Sequence, residues 1–92
     1  MLLVTCDLPG QNRDTKNLET AIGALGAAVR PMRGTWLVDS LLSATAAYNL
    51  LDPCLDKAAG DRLLVIEVNA DNRQGWLPKP VWDFLGARSA KS

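Results

Sequence analysis

The chain predicts an α+β domain, a four-stranded antiparallel sheet with two helices on one face and a short helix after the last strand. Three observations carry that reading. Two segments hold apolar residues at i, i+3, i+4, i+7 spacing, several short runs read as strands, and the segments follow the order strand–helix–strand–strand–helix–strand.

The first strand is Leu2-Leu3-Val4-Thr5-Cys6-Asp7-Leu8, closed by the turn pair Pro9-Gly10. Strand side chains alternate, so Leu2, Val4, Cys6 and Leu8 form an apolar face, while Leu3, Thr5 and Asp7 form a mixed one. Asp14 or Thr15 can cap the helix over 15–25, whose inner face is Leu18, Ala21, Ile22 and Leu25. Gly26 fits a left-handed residue closing that helix. The run 27–32 contains Pro31, which cannot donate to a ladder, so it is an edge strand or a poorly formed one. Arg33-Gly34 then turns the chain into Thr35-Trp36-Leu37-Val38-Asp39-Ser40, a β-branched and aromatic strand.

Ser43 is the expected N-cap of the second helix, which carries Ala47, Leu50, Leu51 and Cys54 on one face. Pro53 should end or kink it near Leu51, or open one further turn. After a polar loop, Arg62-Leu63-Leu64-Val65-Ile66-Glu67-Val68 is the most strand-like run in the chain. It is read with Leu64, Ile66 and Val68 as the apolar face. A short helix over 80–85 follows, with Trp82 and Leu85 covering a sheet edge or the end of the core. Residues 1–86 make one domain and 87–92 a flexible tail. This order is the ferredoxin-like βαββαβ arrangement, in which the first and third strands are expected to be central and parallel. The uncovered face is expected to carry Leu3, Thr5, Leu63 and Val65, an apolar patch suited to a two-fold contact with a second copy.

Composition narrows the chemistry. Ten basic and ten acidic residues cancel, which counts against non-specific duplex DNA binding. The absence of His removes Ser-His-Asp and Cys-His catalysis and His-ligated zinc. Cys6 and Cys54 lack CxxC spacing and read as free thiols in a reducing compartment. With no basic leader and no run approaching the ~18 apolar residues of a spanning helix, the chain reads as cytoplasmic, without a membrane partner. No Gly-rich phosphate loop or other small-molecule cofactor motif occurs.

Val4-Thr5-Cys6-Asp7-Leu8 resembles the opening of the small CRISPR-associated ferredoxin-like integration subunit and of VapD-type toxins. Gly34-Thr35-Trp36-Leu37-Val38, Leu55-Asp56-Lys57, 61–68 and Gly75-Trp76-Leu77 are more similar to short bacterial proteins grouped as a "SinR family". That group has no agreed activity. The CRISPR-type resemblance implies a homodimer in which the Asp7 position of each subunit can hold a divalent metal and support RNA or DNA cleavage.

Four sets of residues are candidates. Asp7 and Asp39 end two strands and, if they share a face, make a paired-carboxylate site suited to Mg²⁺; otherwise each caps the turn after its strand. Arg13, Lys16, Arg30 and Arg33 flank loops and could grip nucleic-acid phosphates, or stand as solvated turn residues. Trp36, Trp76 and Trp82 are a stacking platform for bases or, more commonly, packing residues. Thr5 and Ser40 lack the basic partner a nucleophile requires. The reading is a small homodimeric binding module of nucleic-acid-associated type, with a metal-dependent nuclease as the alternative.

Overall fold

The computed structural model describes residues 1–9 and 15–88. The elements run β1 (Leu2–Asp7), α1 (Lys16–Leu25), β2 (Ala27–Met32), β3 (Thr35–Asp39), α2 (Ala44–Leu51), β4 (Arg62–Glu67) and α3 (Lys79–Arg88), with 3₁₀ turns at Asp52–Cys54 and Lys57–Ala59. The sheet order is β2-β3-β1-β4 and every adjacent pair is antiparallel. This is the four-stranded α+β arrangement expected, consistent with a ferredoxin-like βαββαβ fold. One detail is corrected: β1 and β3 are neighbours but antiparallel, because β2 returns parallel to β1 and the β2–β3 hairpin then reverses the chain.

The register fixes which side chains share a face. Leu2, Val4 and Cys6 of β1 lie opposite Glu67, Val65 and Leu63 of β4, and Val4 lies opposite Trp36 of β3. Leu2, Val4, Trp36 and Val38 are buried with Leu18, Ile22 and Leu25 of α1 and Ala47 and Leu51 of α2. Leu63 and Val65 pack against this core. They therefore point to the helices, and the exposed apolar residues of β4 are Leu64 and Ile66. This reverses the expectation for Leu63 and Val65 and leaves Leu3 and Thr5 on the open face as expected. Both faces of β4 are apolar, so alternation alone could not choose between them; pairing with β1 does.

Each end of α1 and α2 has a specific cause. Ser43 caps α2 by accepting from the Ala46 N–H at 3.1 Å. Ser43→Ala is expected to lower stability by about 1 kcal/mol, read as a shift in the urea midpoint at unchanged slope. Pro53 stops α2 at Leu51 and enters a 3₁₀ turn directly. Thr15 holds the N-cap position of α1 but makes no capping bond; its hydroxyl meets Glu19 Oε1 at 3.4 Å. Asp14, the other candidate cap, lies outside the described residues. Gly26 is extended rather than left-handed. Glycine is required there for another reason: a Cβ would collide with the Asp39 carbonyl oxygen.

The two sheet edges differ. On β2 the register shifts between Val29 and Met32, around Pro31, and α3 lies against the strand. Val81 and Leu85 of α3 are buried outside the two-helix core, and Arg88 Nε donates to Asp39 Oδ2 at 3.0 Å. The helix thus packs near the start of β2 and the end of β3, on the face that carries Asp39; it runs on through Ala87 and Arg88, and its buried pair is Val81 and Leu85 rather than Trp82 and Leu85. Among the described residues, the β4 edge carries no such helix.

Candidate functional site

A concavity lies where β1 ends. Its walls are Leu8, Thr15 and Glu19 on one side and Arg30, Arg33 and Gly34 on the other, above Cys6, Asp7 and Trp36; its volume is about 320 Å³. Local chemistry explains the shape. Gly34 occupies the left-handed region at φ 72°, and its carbonyl accepts from the Cys6 N–H at 2.7 Å, pinning the hairpin to the end of β1. A Cβ at Gly34 would sit 2.6 Å from the Cys6 carbonyl oxygen, so only glycine fits. The hairpin carries Arg30 over the face of Trp36, 5.2 Å from the ring centroid, with Glu19 Oε1 3.6 Å from its Nη1.

The cleft holds two guanidinium groups and two carboxylates. Both Arg30 and Glu19 are about half exposed, so their ion pair contributes little energy, and either group can exchange it for a ligand. Arg33 is exposed and makes no ion pair among the described residues. Burial pushes the Cys6 thiol above its ordinary pKa, with Asp61 and Asp7 adding to the rise and Arg30 opposing it. A thiol held protonated is a poor nucleophile. The arrangement suits recognition of an anionic group next to a flat or apolar one.

The predicted site residues separate into those brought together and those kept apart. Arg30, Arg33 and Asp7 share the cleft. Lys16 begins α1 outside its lining, and Arg13 lies outside the described residues. Asp7 and Asp39 do not form a pair. The antiparallel register puts Asp39 beyond the Leu2 end of β1, about 20 Å from Asp7 at ~3.3 Å per residue. Asp39 is instead held by Arg88. Among the described residues, no three carboxylates or thiols gather as a metal site. Asp7 and Asp39 therefore do not share a two-carboxylate Mg²⁺ site within one chain.

Of the remaining candidates, most take structural roles. Trp36 is buried in the core and Trp82 donates its indole N–H to the Leu77 carbonyl at 3.1 Å, whereas Trp76 is fully exposed, so three rings do not make one platform. The Thr5 and Thr35 hydroxyls lie 3.2 Å apart across the open face, and Ser40 Oγ accepts from the Leu42 N–H. Both thiols are free. Glu19 and Thr15 were missed as cleft residues, because nothing in the sequence shows that the start of α1 faces the hairpin turn. Among the described residues no helix is long and apolar enough to cross a membrane. No protein-family model, curated protein or solved structure matches the chain.

Proposed function

We propose that the protein is a small homodimeric binding module that associates with nucleic acid, a role in keeping with its resemblance to the ferredoxin-like groups above. The observation that carries this reading is the exposure of Leu64 and Ile66, at 54% and 44%, side by side on one edge of the sheet. Apolar strand residues left open in this way favour a protein partner, and a second copy is the simplest. The cationic hairpin supplies the nucleic-acid contact, with Arg33, unpaired among the described residues, able to meet a phosphate and Arg30 able to exchange Glu19 for one.

Two measurements test it. Sedimentation velocity at tens of micromolar should give a dimer. Fluorescence anisotropy with single-stranded RNA and DNA should show salt-sensitive binding, and Arg33→Gln should reduce the log–log salt slope by about 1. Binding that is absent at low salt would reject the nucleic-acid part. Cleavage of either strand with Mg²⁺ or Mn²⁺, lost in Asp7→Ala, would replace the binding reading with a nuclease.

A further inference from the structure

We infer that two copies of the chain join through the free edge of β4, strand to strand and antiparallel about Val65, so that two four-stranded sheets become one of eight. The inference rests on the homodimer proposed above and specifies how it is built.

Hydrogen-bond parity shows which backbone groups are available. In an antiparallel ladder, bonds form between directly opposite residues and alternate along the strand. The Val68 N–H donates to the Met1 carbonyl at 3.0 Å, in line with the register that sets Leu3 against Ile66 and Thr5 against Leu64. The even-numbered residues of β4 therefore bond to β1. The Cys6 N–H bond to the Gly34 carbonyl agrees, since it assigns the alternate residues of β1 to β3. By the same alternation the N–H and C=O groups of Leu63, Val65 and Glu67 point away from the sheet.

A two-fold axis perpendicular to the sheet at Val65 uses those groups in full. Leu63 then exchanges bonds with the partner's Glu67, Val65 with the partner's Val65, and Glu67 with the partner's Leu63. The register brings the exposed residues into contact as well. Leu64 falls opposite the partner's Ile66, and Ile66 opposite the partner's Leu64. These are the positions without hydrogen bonds, where facing side chains lie closest. Only an axis of this kind keeps the helix layers of both copies on one side, and it brings both exposed apolar residues of β4 against their counterparts in one step.

Charge along the strand is in keeping with the direction, although Arg62 and Glu67 stand on opposite faces and form no directly facing pair. Arg62 opens β4 and Glu67 closes it. Antiparallel joining sets the basic end of one strand beside the acidic end of the other, whereas parallel joining would set like against like. The edge also lacks the usual protections. On β2 there are a proline, a register shift and a helix packed against the strand; β4 has no proline, no shift and no lysine. Beside it lies an open groove lined by Ala44, Thr45 and Tyr48 of α2 and by Leu63, Leu64 and Val65. The second copy would bring its own α2 to that groove.

The test combines sedimentation with residue-resolved amide exchange and two variants. Val65→Pro deletes an outward N–H and leaves the bonds to β1 intact. Leu64→Lys places a charge on the exposed apolar pair and touches no core residue. Expected are a wild-type dimer, at least tenfold slower exchange at Leu63, Val65 and Glu67 in concentrated than in dilute protein, and monomers for both variants. Leu64→Lys, checked by circular dichroism, keeps the test decisive if Val65→Pro fails to fold. A dimer that survives in Leu64→Lys, with those three amides exchanging freely, would overturn edge joining while leaving the homodimer intact. A wild-type monomer at tens of micromolar would overturn both.

Discussion

Trp36→Ala is expected to lower the unfolding free energy by about 3–5 kcal/mol, measured by urea denaturation. The ring is only 9% exposed and lies in the core between the sheet and the first two helices. Its loss removes a large apolar area, and it also leaves a cavity that strands pinned on both sides cannot close. β3 is bonded to β1 and β2, so it has little freedom to collapse. A second effect separates this site from an ordinary core position. Arg30 lies over the same ring, and the cleft at the end of β1 has Trp36 in its lining. Trp36→Phe should keep most of the stability and still weaken any ligand held at Arg30, whereas Trp36→Ala should lose both. A loss below about 1 kcal/mol for the alanine variant would place the ring at the surface.

Gly26→Ala is expected to cost about 1–3 kcal/mol, although it adds a single methyl group. The added carbon would collide with the Asp39 carbonyl oxygen and lie 3.0 and 3.3 Å from Asp39 C and Ser40 Cα. These are backbone atoms, which cannot turn aside as a side chain can. Relief requires separating the start of β2 from the end of β3, where Ala27 lies opposite Asp39. The Arg88–Asp39 ion pair sits at the same point, so the variant should also loosen α3. Faster amide exchange in α3 and at Ala28, with α2 unchanged, is the accompanying sign. Equal stability of variant and parent would show that this joint yields.

The chain's element order was legible because its signals are local. Leucine and isoleucine spacing marked α1, Ser43 marked the start of α2, Pro53 its end, and Pro31 the edge character of β2. What failed depended on pairing. Leu63 and Val65 look no less suited to solvent than Leu64 and Ile66, and only contact with β1 decides between them. Asp7 and Asp39 both end strands, yet whether they meet depends on strand direction, and the direction of β3 follows from the hairpin before it. Gly26 was read as a natural left-handed helix end, a conformation it does not adopt; the close approach of the Asp39 carbonyl is what calls for glycine. Arg30 and Arg33 were found as a pair from the turn between them; the other wall of their cleft needed the folded chain.

The place of β1 in the sheet order governs when the molecule can take shape. It precedes both of its neighbours in the chain, one being residues 35–39 and the other residues 62–67. Closing the loop to the latter spans most of the chain, which raises contact order and slows folding relative to a helical bundle of equal length. Until that last strand is made, a chain stalled after α2 would present β1 itself as a naked template, so nascent fragments should be more prone to clump than the finished protein.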